Sequence, residues 1–175
     1  MMSHHPLTSL DARYSGENAR PVPWQEALDR VEKAGLFWVA TVRRDGRPHV
    51  TPVVGAWADG AFYFTTGADE QKSKNLAANP HCAVITGCNT WDAGLDIILH
   101  GKAVIVHDLP LLRTVADAFL AKYGSDWAFE VVEEDGTFRL HGVALVYQVA
   151  PAQALGFGKG EPFSHTRWDF GEPTR

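Results

Sequence analysis

The sequence predicts a mainly β (α+β) fold, an antiparallel barrel with a few helices at its rim. Three observations carry that expectation. Runs rich in β-branched and aromatic residues outnumber stretches with helical periodicity. The pairs Asp45-Gly46 and Asp59-Gly60 join consecutive runs through tight turns, the strongest short-range hairpin signal. Helical spacing of apolar residues is confined to a few segments, each bounded by proline or glycine.

Residues 1–20 are polar and contain Gly, Ser and Asn, so a flexible N-terminal arm is expected ahead of one domain over residues 21–175. In "PVPWQEALDRVEKAG" a proline suits a helix start, Trp24, Ala27, Leu28 and Val31 recur at helical spacing, and Gly35 supplies a stop. "LFWVATV" and "HVTPVVGAW" flank the "RRDGRP" turn, and "GAFYFTT" follows the second turn, giving three antiparallel strands in succession. A polar helix is expected to begin near Asp69, within "YFTTGADEQKSKNL". "CAVITGC" and "LDIILHGKAVIVHD" read as further strands. In "LPLLRTVADAFLAKYG" a helical face collects Leu112, Val115, Ala116, Phe119, Leu120 and Tyr123, with Gly124 able to end it. "GVALVYQVA", "AQALGFG" and the aromatic "SHTRWDF" close the chain.

Composition narrows the function. At 175 residues, with 45% hydrophobic residues, the chain can bury the core of one domain. A net charge of −5 and a pI near 5.9 argue against a nucleic-acid partner, whose phosphates demand a basic face. The apolar runs are strand-sized, short of the roughly 20 residues of a membrane helix, so no membrane association is expected. "MMSHHPLTSLDARYSG" lacks the apolar centre of a signal peptide, which makes a cytoplasmic location the expectation. Cys82 and Cys88, if on one strand, stand about 20 Å apart and cannot bridge; both are expected as buried, small apolar residues. His81, His100, His107 and His141 show no metal-ligand spacing, and neither paired carboxylates nor a Ser-His-Asp order is evident.

The segment from Tyr63 to Leu76 carries the chemistry. Thr65 and Thr66 end a strand, Gly67 permits a tight turn, and a helix follows. Unpaired N–H groups at a helix start, beside hydroxyls and the Lys72 cation, suit a phosphate. Lys74 lies about 200° around the helix from Lys72 and faces the same ligand only if the helix frays or the ligand is long. The alternative is that the threonines are solvated strand positions and the lysines an ordinary exposed face. Pro52 cannot donate to a central ladder, so its strand is an edge, or bulges against a ligand. Trp91 and Asp92 lie in a loop where an aromatic could line a substrate pocket or form a hydrophobic lid. Arg43, Arg44 and Arg47 crowd the first hairpin, either as solvated turn charges or along an anionic ligand.

"FWVATVRRDGRPHVTPV", "FYFTTG…KSKNLAANPHCAV", "LHGKAVIV" and "ALGFGKGEPFSHTRWDF", in this order, resemble the pyridoxamine 5′-phosphate oxidase-like superfamily, especially its flavin- and deazaflavin-dependent oxidoreductase branch. The resemblance implies a split β-barrel forming a homodimer, with FMN or the deazaflavin coenzyme F-420 in the groove between subunits. It implies that Thr65, Thr66 and Lys72 hold the cofactor phosphate, with Lys74 and Asn75 of "KSKNL" as further cofactor-binding candidates. It further implies that His49, Val50, Thr51, Pro52 and Val53 run beside the flavin ring, and that Arg167 and Trp168 close over the cofactor; a last strand using the two residues for packing is the alternative. Where members of the superfamily often carry serine-arginine-lysine, this chain has Glu70-Gln71-Lys72, which removes a bidentate phosphate partner and places a negative charge at the helix start.

The expected function is therefore an oxidoreductase that transfers a hydride between FMN or F-420 and a small unsaturated or quinone-like substrate. A non-catalytic binder of flavin, deazaflavin or haem is the alternative. A pyridoxamine 5′-phosphate oxidase proper needs a basic site for its substrate's phosphate, which is not evident in the sequence.

Overall fold

The computed structural model describes residues 5–140 and 142–171, so His141 and the outer residues of the expected arm and domain lie outside it. The strands are β1 (Leu7–Leu10), β2 (Phe37–Val42), β3 (Pro48–Val53), β4 (Gly55–Ala58), β5 (Ala61–Thr66), β6 (His81–Thr86), β7 (Gly94–Ile105), β8 (Glu130–Val132), β9 (Thr137–Arg139), β10 (Val143–Lys159) and β11 (Ser164–Asp169). The helices are α1 (Trp24–Lys33), α2 (Gln71–Ala78) and α3 (Leu109–Tyr123). The fold is a split barrel: strand pairs run antiparallel and the sheet does not close. The chain divides into two compact units.

One unit comprises Gly35–Cys82 and Lys102–Ala150. Here the first Asp-Gly turn closes the β2–β3 hairpin, with Phe37 opposite Val53 and Val42 opposite Pro48. The second closes β4 onto β5, with Asp59 and Gly60 both at positive φ, the backbone twist that a two-residue hairpin turn requires. The expected single strand "HVTPVVGAW" is two strands, because Gly55 turns its polar groups to α3. Its N–H donates to the Tyr123 hydroxyl at 3.1 Å, and its carbonyl accepts from that hydroxyl at 2.8 Å and from Lys122 Nζ at 2.9 Å. A side chain is excluded there, since a Cβ would stand 2.2 Å from the Phe62 ring. β5 continues onto β10, from Phe62 opposite Val149 to Thr66 opposite Leu145.

Helix α3 starts at Asp108, whose carboxylate accepts from the Leu111 N–H at 2.8 Å. It buries Leu112, Val115, Ala116 and Phe119 against Tyr63, Phe138 and Val146. Leu120, expected on that face, is exposed, because the buried stripe is narrower than the apolar one. β8 and β9 form a hairpin with Val132 opposite Thr137, and β9 extends to β10. The sequence reading missed this hairpin.

The other unit comprises the described parts of Met1–Ala34, Ala83–Gly101 and Pro151–Arg175. Its β11 pairs on one side with β1 and on the other with β10. The expected flexible arm thus contains a strand: Leu7–Leu10 has a complete backbone partner in Thr166–Asp169. The two expected segments "GVALVYQVA" and "AQALGFG" are one strand, β10, since Pro151 falls between the stretches that pair with β5 and with β11. Trp168 is fully enclosed, its ring 5.5 Å from that of Trp24 and its indole N–H donating to the Val22 carbonyl at 3.0 Å. Thr166, also fully buried, accepts from the Val22 N–H at 2.9 Å. Of the two cysteines only Cys82 is buried, and burial pushes its thiol up to about 12. Cys88, expected to be buried, is exposed because β6 ends at Thr86 and leaves it in the following loop.

Candidate cofactor site

The turn from β5 into α2 brings together the groups singled out in the sequence, around an unexpected occupant. α2 starts at Gln71 rather than near Asp69, and Glu70 is its N-cap residue by backbone geometry, without a side-chain cap. The Glu70 carboxylate instead turns back over the turn. One of its oxygens accepts from the Gly67 N–H at 2.9 Å, and the other pairs with Lys72 Nζ. The Thr66 hydroxyl stands beside the carboxylate and adds to its stabilisation, and it also lies 3.5 Å from the Gly67 carbonyl, to which it donates. Burial pushes the Glu70 carboxyl up, but these donors together outweigh it and hold the group below the usual carboxylate range.

Lys72 and Lys74 lie on opposite faces of α2, as 200° of helix rotation requires. Lys72 is 7% exposed, whereas Lys74 is exposed. Asn75 is buried and committed: its amide donates to Thr41 Oγ1 at 2.9 Å, and its carbonyl accepts from Gln71 Nε2 at 2.7 Å. Thr41 Oγ1 is in turn 3.4 Å from His49 Nδ1, so a polar chain ties α2 through β2 to β3. Burial lowers the His49 pKa, and the charges of Arg43 and Lys72 lower it further. The same Lys72 charge therefore reaches both Glu70 and His49.

β3 pairs with β2 on one side, and its other edge has no strand partner among the described residues, so Pro52 sits on an edge strand. Alternate residues of β3 differ in exposure. Val50 and Pro52 are exposed, while Thr51 is partly and Val53 fully buried. Thr51 Oγ1 is buried and has no hydrogen-bond partner among the described residues. Thr65 is half-buried and Thr66 buried at the end of β5.

Two clefts adjoin these residues. One, of about 450 Å³, is lined by Gly67, Ala68, Asp69, Glu70, Val143 and Leu145. The other, of about 560 Å³, is lined by Arg43, Arg44, Asp45, Gln71, Lys74, Asn75 and Ala77. Asp45 is committed to Arg47 at 2.8 Å, whereas Arg43, Arg44 and Lys74 form no ion pair among the described residues.

The remaining candidates belong to the other unit. Trp91, 87% exposed, and Asp92 lie in the loop between β6 and β7. Lys159 braces that loop, donating to the Cys88 carbonyl at 2.6 Å and to Asp96 at 2.9 Å. Arg167 is exposed, while the Trp168 ring is taken up by packing.

Residues 23–148 match the family described as pyridoxamine 5′-phosphate oxidase. The chain belongs to that family. No curated protein matches it in sequence. Among solved structures, an FAD-binding protein from Mesorhizobium loti is 17% identical, with 86% of this chain and 96% of that one covered, at a TM-score of 0.57. An FAD binding protein from Mycobacterium smegmatis is 18% identical, with 77% and 93% covered, at 0.57. A heme binding protein from Mycobacterium smegmatis is 16% identical, with 84% and 58% covered, at 0.66. Likeness at these identities shows a shared fold.

For a pyridoxamine 5′-phosphate oxidase-type fold the implied group is a flavin, and the residues present fit one. The orphaned Thr51 hydroxyl on the open edge of β3 is a buried polar atom that a ligand's polar edge would satisfy. Lys72, a cation with almost no exposure, is placed for an anion. What the sequence does not show is the conformation of Glu70: its charge is visible, but not that it folds onto the donors expected for phosphate.

Proposed function

We propose that the chain is an oxidoreductase that binds a flavin or deazaflavin along the open edge of β3, acts on a small unsaturated or quinone-like substrate, and works as a homodimer. The observation that supports it most is the unsatisfied Thr51 hydroxyl on a strand that already lacks a partner on one edge. In a native protein a buried hydroxyl is nearly always paired, which argues for a ligand with a polar edge at that place. When bound, the flavin or deazaflavin supplies the hydride chemistry.

The residues then divide the work. Backbone groups of His49–Val53 and the Thr51 hydroxyl would orient the ring. His49, its pKa lowered by burial and by Arg43 and Lys72, stays neutral at pH 7 and adds no charge beside the ring. Thr66, the Gly67 N–H and Lys72 would hold the phosphate, with Thr65 beside them. Arg43, Arg44 and Lys74 in the 560 Å³ cleft would accept the long anionic tail that F-420 carries and FMN lacks. Trp91 and Asp92 are proposed substrate contacts, and Arg167 a further cofactor cation.

The homodimer reading rests on the outward face of the β2–β3 hairpin. There Trp38 stands opposite Pro52, Ala40 opposite Val50 and Val42 opposite Pro48, an uninterrupted apolar face on a sheet edge. A second copy would cover it and enclose the ring site.

The absorbance spectrum of the purified protein, followed by titration with FMN and with F-420, tests the cofactor; binding of neither refutes the proposal. Stopped-flow reduction and turnover with quinones then test catalysis. The second reading, a non-catalytic carrier, draws on the haem-binding neighbour and on neutral His49, an imidazole able to ligate iron. It predicts bound cofactor without accelerated turnover.

A further inference from the structure

We infer that Glu70 is a resident anion: its carboxylate occupies the place of the proposed cofactor phosphate and must leave before a phosphate can enter. This inference rests on the phosphate contacts of the preceding reading and adds how that site is regulated.

The argument begins with Lys72. Its side chain is 9% exposed, and a buried ammonium without a counterion is costly. Glu70 is its acidic partner, and the same carboxylate takes the Gly67 N–H beside the Thr66 hydroxyl. A phosphate at this turn would use these donors, and while the carboxylate is in place it holds the Gly67 N–H and one N–H of the Lys72 ammonium. The two partners differ in freedom. Lys72 is walled in, whereas the Glu70 side chain is 52% exposed at the rim of the 450 Å³ cleft. The carboxylate can therefore rotate into water while the cation stays.

Helix α2 does not depend on that side chain. The Glu70 carbonyl accepts the Lys74 N–H at 3.1 Å, and no side-chain cap is formed. Releasing the carboxylate leaves the helix start intact. The exchange gives a phosphate only the difference between its own bonds and those of the carboxylate. A flavin with its phosphate should then bind this chain little better than the same flavin without it.

The test compares the wild type with Glu70→Gln and Glu70→Ala, the second covering the case in which an amide still blocks the turn. Inorganic phosphate is titrated while the Gly67 amide resonance is followed by NMR, and affinities for FMN and riboflavin are measured in parallel. The expected result is a saturable Gly67 shift in a variant at phosphate concentrations that leave the wild type unmoved. FMN affinity should rise about tenfold, the worth of a charge-assisted contact, with riboflavin affinity unchanged. A wild type that responds like the variants, or variants that do not respond at all, overturns the inference. If phosphate shifts Gly67 in the variants but neither flavin binds any of the proteins, the resident anion stands and the flavin reading fails. If FMN binds all three equally and phosphate shifts none, the flavin reading survives and the role of Glu70 falls.

Discussion

Lys72 reaches the cradle from the inward face of α2, and replacing it separates its two roles. In Lys72→Ala the phosphate and the Glu70 carboxylate it displaces lose the same partner, so FMN binding should weaken by less than about tenfold, whereas the same change made in Glu70→Gln should cost about 10- to 150-fold, from roughly 1.5–3 kcal/mol for one charge-assisted contact. Calorimetric titration checks it, and an affinity within about twofold of Glu70→Gln for the double variant would put the phosphate elsewhere. The melting temperature should fall only slightly, because the Glu70 left behind is half exposed and hydrates. His49 sets a pH dependence. Its folded pKa lies below the ordinary 6.5, so between those values the unfolded chain binds the extra proton. Stability should be full above the ordinary histidine pKa and fall as pH drops through it toward the folded value. His49→Gln should flatten that decline in urea titrations at successive pH values. At this scale the sequence was informative about residue type and position: the hydroxyls, the glycine and Lys72 can be picked from spacing. It showed the charge of Glu70 but not its position, because a side chain folding back over a turn leaves no periodic trace.

Among the elements, β11 shows how a local reading and a structural one diverge. Its Arg167-Trp168 pair suits a cofactor cover by composition, yet Ala154, opposite Trp168 in β10, and the ring itself are both fully buried. Trp168→Ala should cost about 3–5 kcal/mol in urea unfolding, the range for deleting a buried aromatic side chain. A loss below about 1 kcal/mol would show the ring to be dispensable to packing. Removing everything after Gly160 should give aggregated protein on gel filtration rather than a folded dimer, since β1 and β10 would each lose a partner edge. The β2–β3 and β4–β5 hairpins were legible because Asp-Gly punctuates them. The β8–β9 hairpin carries the same pair at Asp135-Gly136 but was missed, its strands of three residues being too short for an alternating pattern. β1 was illegible for a different reason: a four-residue, largely exposed strand owes its existence to a distant partner, not to its own propensities.

For the whole molecule, the apolar face of the β2–β3 hairpin makes the assembly testable. If the proposed homodimer forms through that face, Trp38→Arg should shift sedimentation from dimer to monomer with little change in melting temperature; a wild type that sediments as a monomer refutes the dimer, and a variant that stays dimeric places the interface elsewhere. The pairing of β1 with β11 has a consequence for how the protein is made. Leu7 lies opposite Asp169, so the first described strand to leave the ribosome must wait for the last. At 5–20 residues per second that wait is roughly ten to thirty seconds. Throughout it the amino-terminal segment is a bare edge, and neither the Thr166 hydroxyl nor the Trp168 indole yet exists to take up the polar groups of Val22. Maturation of this unit therefore waits on β11. A nascent chain stalled ahead of Ser164 stays open to protease over residues 5–34, and protection arrives only once Ser164–Asp169 has emerged.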